Sequence, residues 1–303
     1  MLSNKEIVVP NNLLNAALRK KGVKAGIVNA GKPLPMLSVQ DAVNENLIEP
    51  IFIGDKSEIL KCAQDLKWDI SKYEIIHEPI ENNTAAIAAK LASEEKIKII
   101  VKGHIHTDVL MKEVLKREYN LLGKTRLSHI WHMTLEQEDK PLIITDGALN
   151  VLPNVKTKMH ILKNVINFSN RIGIERPKIA VLSATEEVLD SVPSSIEAEE
   201  ITKLAKKENL NADVFGPLAF DNSISKKSAA IKGIKNNVAG VADVLLVPSV
   251  ETGNGLVKML IYFCGACAAG VVVGGKVPVV ITSRSDEAQA RLASIAAAVV
   301  ALD

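Results

Sequence analysis

A chain of 303 residues, 47% of them hydrophobic, is long enough to bury a large core and suggests two domains or one large α/β unit. Its 37 basic and 35 acidic residues leave a formal charge of +2 with scattered lysines, no footprint for nucleic acid or an anionic membrane, and aromatics at 3% argue against base-stacking platforms. Three cysteines give no disulfide framework, no apolar run reaches the length of a membrane span, and the N-terminus carries no secretory pattern, so a cytoplasmic protein is expected.

Helical and strand patterns alternate along the chain. An amphipathic helix over 11–21 stops at Gly22, followed by a strand at 25–29, a helix at 36–46 and a strand at 50–54. Next come a helix at 56–66, a strand at 73–76, a helix at 83–95, a strand at 97–102 and a helix at 109–117. The pattern resumes with a strand at 142–145, a helix at 157–171, a strand at 178–183, a helix at 194–207 and strands at 212–215 and 243–247. A helix at 256–263, strands at 270–274 and 277–282 and a final helix close the chain. Continuous β-branched strands alternating with helices predict mostly parallel sheets covered on both faces, with ligands outside the carboxyl ends of the strands.

Those carboxyl ends hold the polar sequences: Gly54-Asp55, Lys102-Gly103-His104, Thr145-Asp146-Gly147, Ser183-Ala184-Thr185, Gly216-Pro217, Glu251 to Asn254, and Thr282-Ser283-Arg284. The segments 247–258 and 279–286 each run from an apolar strand through a polar turn into a helix, the arrangement that exposes unpaired backbone N–H groups to an anion. Arg284 sits at the second turn. Ser283 or Ser285 also suits the helix cap, with Asp286 or Glu287 in the first turn. No Gly-x-Gly-x-x-Gly opens a helix and no Walker-type loop occurs, so nicotinamide and P-loop readings are weak. Cys264 and Cys267 have redox or zinc spacing, but no second pair completes a zinc site, and small residues at a tight helix–strand junction account for them better.

Taken in order, the stretches 46–55, 101–103 with Thr107, 145–150, 215–222, 247–258 and 281–286 resemble the phosphate acetyltransferase/phosphate butyryltransferase family over nearly the whole chain. Lys102-Gly103, Ser128-His129 and residues 283–286 lean toward the butyryltransferase branch. The resemblance implies a two-domain α/β fold related to the isocitrate/isopropylmalate dehydrogenases, with the active site in an interdomain cleft. Residues 1–132 and 275–303 would form one domain and residues 133–274 the other. It also implies a homodimer, and transfer of an acyl group between coenzyme A and phosphate, with acyl-CoA, phosphate and acyl phosphate as ligands and no cofactor beyond coenzyme A as substrate. Ser283 and Arg284 match a family pair linked with substrate binding and catalysis. Lys102, Gly103, His104, Thr107, Ser128, His129, Asp146, Asn150, Asp221, Glu251 and Asn254 are the candidate substrate contacts.

Two positions depart from the acetyltransferase pattern. Ungapped alignment from the Ser-Arg pair puts Ala290 where the acetyltransferases carry a catalytic aspartate, so Asp286 becomes a candidate base or orienter of Arg284, or only a helix-start carboxylate. Gly147 stands where acetyltransferases often carry cysteine, so direct transfer in a ternary complex is expected rather than a covalent acyl-enzyme. His104 with His106, and His129 with His132, have chelating spacings, yet carboxylates are not concentrated around either pair and no metal site is expected. Two alternatives remain: a metal-dependent dehydrogenase on the related fold, and a catalytically silent module that binds acyl-CoA or acyl phosphate.

Overall fold

The computed structural model describes residues 2–135, 140–282 and 286–302. The chain divides into two compact units, one of residues 7–124 and 267–303 and one of residues 1–6 and 125–266.

The first unit opens with α1 (Asn11–Ala17), β1 (Lys24–Val28), α2 (Pro33–Asn44), β2 (Glu49–Gly54), α3 (Lys56–Asp65), β3 (Ile75–His77), α4 (Glu81–Ser93), β4 (Ile99–Lys102) and α5 (Thr107–Val114). α2 starts three residues before the expected position because Pro33 supplies a preset φ at the first helical residue. Asp55, one of the polar strand-end residues, caps α3 by accepting from Ser57 N and Glu58 N. α4 buries Ala85, Ala88, Ala89 and Ala92, small residues spaced three and four apart that form one face of the helix.

The second unit carries β5 (Ser128–Thr134), β6 (Leu142–Thr145), α6 (Val155–Arg171), β7 (Lys178–Leu182), α7 (Pro193–Lys207), β8 (Asp213–Leu218), α8 (Phe220–Ile224), α9 (Lys226–Ile231), β9 (Val244–Leu246) and α10 (Val250–Cys264). Its strands order β5-β6-β9-β7-β8, parallel except that β5 runs antiparallel to β6. The sequence reading lacked β5, α8 and α9. In β5, two histidines, a serine and a threonine obscure the apolar pattern, although all seven of its residues are buried. α10 begins at Val250, not near 256, because Ser249 accepts from Thr252 N and caps it.

The chain then returns to the first unit with β10 (Cys267–Val273), β11 (Val279–Val280) and α11 (Ala288–Ala301). The order there is β3-β2-β1-β4-β11-β10, parallel except for β10 against β11. α11 is buried continuously from Ala290 to Val300, as expected of a helix that is apolar on every side. The unit boundaries at 6/7, 124/125 and 266/267 place residues 1–6, 125–132 and 267–274 opposite to the sequence reading. β5 is laddered to β6, and β10 is paired with β11 and backed by α11.

Candidate functional site

In the first unit, β11 lies parallel beside β4, with Val279 opposite Ile100 and Val280 opposite Val101. Continued past the strand ends, this register brings Thr282 beside the Lys102-Gly103 step. Lys102 is buried and its Nζ donates to Thr282 O at 3.3 Å. Gly103 has no room for a side chain: a Cβ there would lie 2.5 Å from Val28 O and 2.7 Å from Asn29 O. Its N–H donates to Val28 O, and the next residue, His104, donates its N–H to Asn29 O. Gly103 thus serves the β1–β4 crossing. His104 and Thr107 are exposed in the turn and at the first residue of α5, and His106 N donates to Glu81 Oε1 at 2.8 Å.

Ser283, Arg284 and Ser285 lie outside the described residues. Both flanks are described. α11 opens at Ala288 with Glu287 at its cap position and no side-chain cap bond, so Asp286 precedes the cap and Ala290 occupies the first turn. Arg291, which sequence reasoning missed, is buried beneath this turn. Its Nη1 donates to Thr282 Oγ1 at 2.7 Å and its Nε to Asp286 O at 3.0 Å. Burial lowers the Arg291 pKa, and the Asp286 carboxylate acts in the opposite sense. A single arginine in an otherwise uncharged helix was the available signal.

In the second unit, Ser128, His129, Asp146 and Asn150 come together where β5 begins and β6 ends. Asp146 is 1% exposed. Its Oδ1 accepts from Ala148 N at 3.0 Å and Leu149 N at 2.9 Å. Its Oδ2 accepts from His129 N at 3.0 Å, Asn150 N at 3.3 Å and Asn150 Nδ2 at 2.6 Å. Asn150 Nδ2 also donates to Leu127 O at 2.9 Å. Ser128 Oγ accepts from Asn164 Nδ2 at 2.8 Å. Asp146, Asn150 and Ser128 are thus committed to protein partners. Gly147 abuts Gly253, bringing this loop to the first turn of α10, where Glu251 and Asn254 are exposed. The backbone of Glu251 and the Ser249 side chain hold the Glu251 carboxyl below its usual range.

Asp221 stands apart. It is exposed on α8, whose Asn222 O and Ser223 O accept from Gly240 N and Ala242 N, ahead of β9, whereas Glu251 follows the far end of that strand. His129 and His132 are buried, and burial lowers each imidazole pKa to about 4, with the Asp146 carboxylate opposing this at His129. Burial pushes the Cys267 thiol up to about 12, away from thiolate chemistry. Among the described residues, no group of three or more His, Cys, Asp or Glu is placed to hold a metal ion, and no helix is long and apolar enough to cross a membrane.

Residues 72–299 match the family model described as phosphate acetyl/butaryl transferase. The chain is 40% identical to a phosphate acetyltransferase of Rhizobium meliloti over 259 residues, 85% of this chain and 82% of the relative. It is 34% identical to a phosphate butyryltransferase of Clostridium acetobutylicum over 283 residues, 93% and 94% of the two chains. The crystal structure of a branched-chain phosphotransacylase from Enterococcus faecalis superposes with a TM-score of 0.82 at 34% identity, covering 92% of this chain and 98% of that one. These matches span most of both chains, and the protein belongs to the phosphate acetyl/butaryl transferase family.

Proposed function

We propose that the protein moves a short acyl group, acetyl or butyryl, between coenzyme A and inorganic phosphate by direct transfer in a ternary complex. The observation that carries this is family membership across residues 72–299, a span that includes the Ser283-Arg284 pair. In one direction a phosphate oxygen attacks the thioester carbonyl. The tetrahedral oxyanion then collapses, the C–S bond breaks, and coenzyme A leaves as thiolate while acyl phosphate forms. The phosphate charge needs a planar cationic donor, the role given to Arg284, and Ser283 would donate to phosphate or to the thioester oxygen. Asp286 is the candidate base or orienter. Gly147 supplies no nucleophile, which supports direct transfer over an acyl-enzyme.

We assign substrate contacts to the exposed His104 and Thr107 of the first unit and Glu251 and Asn254 of the second, with the buried Lys102 and His129 as supports within their own units. The family resemblance also supports a homodimer. α10 exposes Met259, Tyr262 and Phe263, and an obligate interface typically buries on the order of 2,000 Å² or more. Sedimentation as a monomer at micromolar concentration would contradict the dimer.

The deciding assay is release of coenzyme A from acetyl-, propionyl- and butyryl-CoA with and without phosphate, in the presence of EDTA. Release should require phosphate, accept arsenate in its place and survive the chelator. Arg284→Ala should lower kcat/KM by about two to four orders of magnitude with little loss of thermal stability. No turnover of any of the three thioesters by folded protein would overturn the reading.

A further inference from the structure

Asn29, the residue after β1, has a left-handed backbone, φ 52°, a conformation that asparagine adopts more readily than most residues. It meets His104 through two bonds that run in opposite directions. His104 N donates to Asn29 O at 3.0 Å, and Asn29 Nδ2 donates to His104 O at 2.5 Å. One residue thus holds both backbone polar groups of another that lies 75 positions further along the chain. The step before His104 is fixed as well, since Gly103 N donates to Val28 O at 2.9 Å. After it, Ile105 is buried and His106 N donates to Glu81 Oε1 at 2.8 Å. Within this frame the His104 side chain is exposed. A backbone held on both sides limits where an exposed imidazole can reach, which is how a supporting residue sets the aim of a binding group.

We infer that Asn29 is a positioning residue for acyl transfer: its side-chain amide fixes the His104 peptide, and with it the direction from which the imidazole meets substrate. This rests on the reading of His104 as a substrate contact. The role differs from turn formation, since glycine adopts the same φ and keeps the backbone acceptor while lacking the amide.

The test compares Asn29→Gly, Asn29→Asp, His104→Ala and the double variant Asn29→Gly/His104→Ala in the full chain. Aspartate keeps the shape of asparagine but sets a carboxylate oxygen against the His104 carbonyl. Release of coenzyme A is measured with phosphate and acyl-CoA varied separately, and hydrogen exchange is followed in peptides covering 103–106. His104→Ala should raise KM for one of the two substrates about fivefold or more, and Asn29→Gly should raise the same KM about threefold or more, with kcat within about twofold in both. In the double variant that KM should match His104→Ala alone, because Asn29 acts through His104. Asn29→Asp should lose at least as much as Asn29→Gly. Exchange across 103–106 should rise about tenfold in Asn29→Gly. Wild-type KM values or wild-type exchange in Asn29→Gly, wild-type kinetics in His104→Ala, or effects that multiply in the double variant would overturn the inference. If Asn29→Asp does not fold, Asn29→Gly, which keeps the backbone conformation, decides the same point. If the wild-type protein releases no coenzyme A, the family reading fails and exchange alone decides: unchanged protection in Asn29→Gly overturns the clamp on His104, and lost protection upholds it.

Discussion

Asp146 shows how a polar residue at a strand end can serve the fold. Five donors converge on its carboxylate, from His129, Ala148, Leu149 and, twice, Asn150, and almost none of it faces solvent. Hydrogen bonds to a charged acceptor contribute about 1.5–3 kcal/mol each, and a buried donor left unmatched costs about 1–3 kcal/mol. Asp146→Asn replaces one acceptor oxygen with an NH2 group that faces two or three donors. We expect a loss of at least about 3 kcal/mol in denaturant unfolding, with KM values near wild type at temperatures where the variant is folded. Unchanged stability with a raised KM would instead make Asp146 a substrate ligand. Asp55 carries the same lesson, since it was part of the polar strand-end pattern and caps a helix.

The start of α10 is placed by the contact between two glycines. A Cβ on Gly253 would lie 2.7 Å from Gly147 Cα, 3.0 Å from Val247 Cγ2 and 3.2 Å from Asp146 O. Two residues on in the same helix, a Cβ on Gly255 would meet nothing within 4 Å. Replacing glycine with alanine in a helix gains about 0.8–1 kcal/mol from backbone entropy, whereas overpacking against backbone costs about 1–3 kcal/mol. The two substitutions should therefore move thermal stability in opposite directions: Gly253→Ala lowers the midpoint and Gly255→Ala raises it. Equal shifts would show that the Gly147–Gly253 approach does not hold the turn. Because this turn presents Glu251 and Asn254, Gly253→Ala is also expected to raise KM for acyl-CoA.

At the scale of the whole molecule, the unit of residues 125–266 is expected to lose stability in acid. His129 and His132 lie on β5 with pKa values lowered from the ordinary 6.5 to about 4, mainly by burial. The unfolded chain binds protons at these sites more readily than the folded one between those two pH values. Their contribution to stability is therefore complete above pH 6.5 and is lost as pH falls toward about 4. The change corresponds to roughly 3 kcal/mol per histidine. Protection factors of the β5 and β6 amides, which allow for the intrinsic slowing of exchange in acid, should fall between pH 6.5 and 4.5, and His132→Gln should flatten that dependence. An unaltered pH profile in the variant would remove His132 from the account.

By itself the sequence determined the α/β class, nearly all of the helices and strands, and the family, because alternating β-branched strands and amphipathic helices record their burial in local periodicity. The ordered polar strand ends, from residues 46–55 to 281–286, were legible for the same reason: they punctuate that periodicity. Tertiary structure decided what local pattern does not encode. β5 is a strand laddered to β6, although four of its seven residues are polar types, and the unit of residues 125–266 takes it in. The same level buried Asp146 with five donors on its carboxylate and left the His104 and Glu251 side chains exposed. It also revealed Arg291 beneath the turn, since a hydrogen bond between a helix and the strand before it depends on the angle at which the two meet, a quantity that no spacing of residues along the chain specifies.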